Sequence, residues 1–250
     1  MKIIKISSSQ GSLGENIGTE EAPNEIIKHL NKKCYFEDVK IVGGNIDETN
    51  KNIFNKAKLL VDENVVFVGG DHSVTYPVFK AFARKYKNPG LVIFDAHPDC
   101  QSDFYISHED VITSLIKERL VRPQNIILIG IRKWSKEEFE FLRANNIRFF
   151  TAEQLSTNFV ENCDVIIGMS RNFDKLYLSI DIDVIDPAFA PGTGYIEPIG
   201  LHPREIFFLL KRFKRLENLK WVDLVEVNPK KDFNNMTVKL AARLLDELVS

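Results

Sequence analysis

The chain has 250 residues and a formal net charge of −2, with 33 Lys and Arg against 35 Asp and Glu, so no broad field draws it to nucleic acid or an anionic membrane, and neither is expected as a partner. Cys34, Cys100 and Cys163 are odd in number and lack CxxC spacing, which argues against a disulfide framework or a thiolate zinc site and for a reducing, cytoplasmic setting. A hydrophobic share of 44% allows a sizeable core, yet no stretch is long and apolar enough to span a bilayer.

The opening run Met1-Lys2-Ile3-Ile4-Lys5-Ile6 reads as a first strand rather than a signal peptide. Apolar residues at 26, 27 and 30 give Glu25–Leu30 a helical face. Strands follow at Val65–Val68, Leu91–Phe94, Asn125–Ile129, Ile147–Phe150, Leu176–Ile182 and Trp221–Val227, all rich in Val, Ile, Leu and Phe and only weakly alternating. Strands buried on both faces read that way. Fuller helices are expected at Val74–Tyr86, Ser135–Ala144, Pro203–Phe213 and Met236–Val249, with Pro203 in a first turn behind Leu201 or His202. The alternation implies a mostly parallel sheet covered on both faces, as one domain over residues 1–250.

Three segments carry chemistry, each where a strand runs out. Val68-Gly69-Gly70-Asp71-His72-Ser73 is by itself a tight strand-to-helix turn, with Asp71 or Ser73 as cap. In Phe94-Asp95-Ala96-His97-Pro98-Asp99 the three ligand-type side chains alternate, so extended chain puts them on one side. In Ser179-Ile180-Asp181-Ile182-Asp183-Val184-Ile185-Asp186-Pro187, Asp181 and Asp183 share a face of an apolar strand, whereas Asp186 before Pro187 reads as a turn residue. Buried carboxylates of like charge need cations, and Lys175 and Arg171 are the nearest in sequence. Two divalent ions would balance Asp95, Asp99, Asp181 and Asp183, with His72 and His97 completing the shells. Oxygen-rich ligands with a minority of imidazole favour Mn²⁺. Such ions lie about 3.5–4 Å apart and make a hydroxide available at neutral pH.

These motifs resemble those of the ureohydrolase superfamily, which includes arginase, agmatinase and formimidoylglutamase. The resemblance runs from Gly11-Ser12-Leu13-Gly14-Glu15-Asn16 and Ala22-Pro23 to the C-terminal helix, through Gly-Gly-Asp-His at 69–72, Asp-Ala-His-x-Asp at 95–99 and Ser-x-Asp-x-Asp-x-x-Asp-Pro at 179–187, which continues into Ala190-Pro191-Gly192-Thr193-Gly194. It implies a three-layer, doubly wound α/β fold with the site at the strands' carboxyl ends. It also implies one metal held by His72, Asp95, Asp99 and Asp181 and another by Asp95, His97, Asp181 and Asp183. Glu226 is similar to the glutamate that grips the guanidinium, and His108 to the histidine that moves protons. The leaving nitrogen would take its proton from Asp183 or through His108.

Around the pocket the chain departs from the family pattern. The loop after Asp99 is short, and Gln101 and Phe104 stand roughly where arginases carry the Asn and Ser that hold the amino-acid end of arginine. A small cationic guanidine such as agmatine, hydrolysed to urea and an amine, is therefore expected in preference to arginine. Glu109 and Asp110 either favour a cationic tail or start a helix. The loop Tyr195-Ile196-Glu197-Pro198-Ile199 is also divergent. The competing readings are a formimino or other amidino hydrolase of the same superfamily, a single-zinc deacetylase-like enzyme, and a non-catalytic metal-stabilised regulatory subunit. A homo-oligomer, trimer or hexamer, is implied by the resemblance alone.

Overall fold

A computed structural model describes residues 2–101 and 106–249. In chain order the strands and helices are β1 Lys2–Lys5, α1 Ala22–Ile27, β2 Tyr35–Asp38, α2 Ile46–Lys58, β3 Val65–Val68, α3 Thr75–Lys85, β4 Pro89–Phe94, α4 Val111–Lys117, β5 Ile126–Ile131, α5 Lys136–Ala144, β6 Arg148–Thr151, α6 Ala152–Thr157, α7 Phe159–Ser170, β7 Lys175–Asp181, α8 Pro203–Phe213, β8 Leu219–Val225 and α9 Met236–Leu248.

Among the described residues the strands form one sheet in the order β2-β1-β3-β8-β7-β4-β5-β6. All of its pairings are parallel. Parallel strands need crossovers, and the helices that provide them cover both faces. Alternate residues of each strand therefore enter two separate cores. Val66 and Val68 pack with Ile26, Ile166, Leu209 and Leu245, from α1, α7, α8 and α9. Val65 and Phe67 pack with Ile53, Phe79, Phe82, Leu115 and Leu142, from α2 to α5. Burying each such side chain contributes about 1.5–3 kcal/mol. The three-layer doubly wound architecture expected from the sequence is the one observed.

Some boundaries differ from the sequence reading, for physical reasons. The last strand stops at Val225 rather than Val227, because Glu226 takes a left-handed conformation (φ 64°) that turns the chain away from the sheet. Asp181 ends β7, and Ile182–Val184 is a 3-10 turn. Strand β2 escaped the sequence reading because it is an edge strand with mostly exposed side chains, so no apolar run marks it. Helix α2 buries only Thr49, Ile53 and Ala57, and its polar composition hides that stripe. Helices α4, α6 and α7 likewise add to the elements predicted from the sequence. Helix α8 begins as expected: His202 caps it by accepting from Arg204 N–H, and Pro203 opens its first turn.

Candidate metal centre

Strand order brings the site together. The adjacent strands β3, β8, β7 and β4 are parallel, so their carboxyl ends open on one edge of the sheet. Beyond those ends lie Gly69 to His72, Glu226, Asp181 to Asp183, and Asp95 to Asp99.

The turn after β3 is shaped by close backbone approach. A Cβ on Gly70 would lie 1.8 Å from the Ser8 carbonyl oxygen, so only glycine fits there. Asp71 N–H donates to that carbonyl, and Glu226 N–H donates to Gly70 O. Asp71 caps the next turn as the sequence suggested: its carboxylate accepts from Ser73 N–H and from Gly11 N–H. Asp71 is thus a structural residue. Burial and the Glu226 charge push it up to about 6.

The six residues singled out from the sequence converge. His72, Asp95 and Asp181 offer ligand atoms close enough to share one ion, and so do Asp95, His97 and Asp183. Asp95 belongs to both groups. Asp99 joins through His72, its Oδ2 lying 2.7 Å from His72 Nδ1. His97 Nδ1 is 2.9 Å from Asp183 Oδ2. All but His97 are buried. Among the described residues, the ion-pair partners of these four aspartates are His72 and His97, never Lys or Arg. Short-range bonds aim the carboxylates: Asp95 Oδ1 accepts from His97 N–H, Asp181 Oδ1 from Asp183 N–H, and Asp183 Oδ1 from Ala96 N–H. Each bond fixes one oxygen and leaves the other facing the centre.

Two observations test whether cations fit here. Asp95 Oδ2 and His72 Nδ1 are buried without a hydrogen-bond partner among the described residues, although Nδ1 lies 2.7–3.6 Å from oxygens of Asp99, Asp95 and Asp181. The other ring nitrogen, Nε2, lies 3.1 Å from Ser179 Oγ. Ser179 spends its one proton on Asp223, 2.6 Å away, so Nε2–H must be the donor to Ser179; burial opposes charge on His72, but Asp95 and Asp99 raise it well above the usual imidazole range, and a cation that displaces the Nδ1 proton meets the lone pair there. A lone pair facing three carboxylates is a ligand set for a metal ion. Protons otherwise supply the missing charge. Burial opposes protonation of His97, but Asp183 and Asp95 raise it to about 12; burial and Asp95 raise Asp99 to about 7. The residues fit two divalent ions.

Glu226 and His108 stand beside this centre, 3.4 Å apart at Oε1 and Nδ1. Glu226 Oε1 accepts from His72 N–H at 2.6 Å, and Oε2 accepts from the Asn16 amide, which is itself held by Asn228. Burial opposes ionisation of Glu226, yet His108 and these donors keep its carboxyl below the usual range. Burial likewise opposes charge on His108, and Glu226 lifts it to about 9. Asn16 and Asp223 support the site without belonging to its three sequence motifs. Asn16 sits in a loop with no local signal, whereas Asp223 is a carboxylate inside an apolar strand, a signal that can be read. Cys100 is a packing residue, as expected. Asp186 is a turn residue that accepts from Ala188 and Gly200 N–H. Phe104 lies outside the described residues.

A cavity of about 260 Å³ opens above these groups, lined by His97, Asp181, Asp183, His108 and Glu226 on its floor. A doubly wound sheet carrying such a centre at its carboxyl edge defines a metal-dependent hydrolase of α/β type. The arginase family model matches residues 9–250. The agmatinase of Bacillus subtilis (strain 168) is 32% identical over 252 residues, which cover 94% of this chain and 81% of that protein. The arginase of Staphylococcus aureus (strain COL) is 28% identical, covering 98% and 96%. Proclavaminate amidino hydrolase from Streptomyces clavuligerus superposes with a TM-score of 0.91 at 26% identity, over 99% of this chain and 90% of that one. The chain belongs to the arginase family, and so is a hydrolase acting on C–N bonds of linear amidines and guanidino compounds.

Proposed function

We propose that the protein is an agmatinase-like ureohydrolase that uses two Mn²⁺ ions to split a small cationic guanidine into urea and an amine. The observation that carries this reading is the orphaned His72 Nδ1, facing Asp95, Asp99 and Asp181 beside an ionised Glu226. His72, Asp95, Asp99 and Asp181 would hold one ion, and Asp95, His97, Asp181 and Asp183 the other. The ions supply an activated water and neutralise charge that develops on the substrate.

The protein's own groups do the rest. Glu226 receives the planar guanidinium through paired hydrogen bonds. Asn16 and the His72 N–H fix its carboxylate so that the substrate carbon is presented in one orientation. His108, protonated near neutral pH through its contact with Glu226, is placed to give a proton to the departing nitrogen. Asp183 is an alternative donor to that nitrogen.

Agmatine is favoured as substrate by the similarity to agmatinase and by the absence of an arginase-type Asn and Ser pair after Asp99. A second reading, hydrolysis of an amidino acid, rests on Lys133, which lines the cavity with no ion-pair partner among the described residues. The free cysteines suit a cytoplasmic setting, and no helix of the described residues is long and apolar enough to cross a membrane. We place the reaction in a single domain over residues 1–250, assembled as a homo-oligomer in keeping with the family resemblance.

The test is reconstitution with Mn²⁺ and assay of urea release from agmatine, 4-guanidinobutyrate and arginine. Urea from agmatine, lost in Asp181→Ala, is the expected result. Two ions bound per chain with no urea from any guanidine would overturn it.

A further inference from the structure

One wall of the cavity is formed by Tyr195 and Glu109. The Tyr195 ring leans on His97 and His108, with centroids 5.4 and 5.8 Å apart, so it stands directly beside the reacting centre. Its hydroxyl meets two carboxylates: it donates to Glu15, and Glu109 Oε1 lies 3.2 Å away. A phenol has one proton to give. The two carboxylates share that proton, so Tyr195 orients Glu109, and among the described residues no Lys or Arg forms an ion pair with it. Glu109 is half-buried and lines the cavity. Its backbone is fixed at both ends, with its N–H donating to Ser107 Oγ and its carbonyl accepting from Gln101 N–H. Buried below it, His108 Nε2 has no hydrogen-bond partner among the described residues. Glu109 thus borders the cavity as a carboxylate without a cationic partner among the described residues, next to a buried His108 whose Nε2 is unsatisfied.

We propose that Glu109, held in place by Tyr195, receives a protonated amine at the far end of the substrate, so that the substrate is an aminoalkyl guanidine with a positive charge at each end. This rests on the ureohydrolase reading and assigns the residue that chooses among guanidines. Lys133 is the competing anchor, and it would select a carboxylate instead. Charge decides between them. Beyond Glu226 and the proposed metal ligands, the cavity is lined by Glu109, Glu138 and Glu197 against Lys133, with Glu15 behind Tyr195, and Lys133 is exposed and free to swing into solvent.

The experiment compares urea release from agmatine and from 4-guanidinobutyrate, which differ only in the terminal amine or carboxylate, by the Mn²⁺-loaded wild type, Glu109→Gln and Lys133→Ala. Agmatine should be preferred by the wild type. Glu109→Gln should lower kcat/KM for agmatine by roughly tenfold or more, chiefly through KM, and leave 4-guanidinobutyrate nearly unchanged or improved. An agmatine to guanidinobutyrate ratio unaltered by Glu109→Gln overturns the proposal, as does a wild-type preference for guanidinobutyrate that Lys133→Ala abolishes. Inhibition of the wild type provides a readout free of any folding defect. 1,4-Diaminobutane should compete at least several-fold better than 4-aminobutyrate, and the reverse order overturns the assignment. No urea from any guanidine would instead remove the ureohydrolase reading, and this inference with it.

Discussion

His72 and Ser179 are 107 residues apart in the chain, and the contact of His72 Nε2 with Ser179 Oγ at 3.1 Å decides which ring nitrogen faces the aspartates. Ser179 lies on β7 and passes the polarity on to Asp223 of β8, whose carboxylate also accepts from Tyr177 and Thr75 hydroxyls. The imidazole is thereby locked in one tautomer by groups that never reach the cavity.

Ser179→Ala should therefore weaken metal binding without removing a ligand. Outer partners of a metal-binding histidine are worth roughly 10–100-fold in affinity. A metal titration of the purified apo-protein, with metal content checked by elemental analysis, measures it. An affinity equal to that of the wild type would mean that the relay does not orient His72.

Glu226→Gln separates substrate binding from metal binding. The amide preserves the shape of the side chain but cannot supply a full negative charge to the guanidinium. A loss of roughly 10²–10³ in kcat/KM is expected, with metal content unchanged. Equal losses of metal and activity would instead place Glu226 in support of the centre.

Metal uptake should depend on pH in one direction. Burial and Asp95 raise Asp99 to about 7, burial and Asp183 raise Asp181 well above the carboxylate range, and Asp183 holds His97 protonated to about 12. An arriving cation must displace these protons. Binding should release protons, and apparent affinity should rise with pH by about tenfold per unit for each proton displaced. Calorimetry in buffers of different ionisation enthalpy measures the release. Affinity that stays flat between pH 6 and 8 would contradict the picture.

Gly70→Ala tests the turn that presents His72. The added methyl would meet the Ser8 carbonyl at 1.8 Å, and backbone cannot yield as a flexible side chain does. A destabilisation of about 3 kcal/mol is expected, which lowers Tm by roughly 6–12 °C for a chain of this size. Thermal unfolding of the metal-free protein reads it directly, and a Tm within a degree of wild type would show that the strand ends can move apart.

Much of this site is local in sequence. Asp95, His97 and Asp99 alternate along one short stretch, as do Asp181 and Asp183, and each group follows an apolar strand that can be recognised without a structure. The two-sided burial of those strands is written in their uninterrupted Val, Ile, Leu and Phe, and α8 announces itself through Pro203. Exposed β2 and polar α2 carried too little apolar contrast to be read.

What the tertiary structure alone decided is adjacency. The order β3-β8-β7-β4 puts His72, Glu226, Asp181 and Asp95 side by side, although they are spread over 155 positions of the chain. Strand order is set by long-range pairing and by which helix covers which face, neither of which leaves a local mark. The same holds for Asn16 on Glu226, for Asp223 behind His72, and for Glu109 and Glu15 meeting at Tyr195. Asp223 is marked in sequence as a carboxylate within an apolar strand, but its partner is not, and all of these side chains acquire their chemistry from a neighbour that only folding supplies.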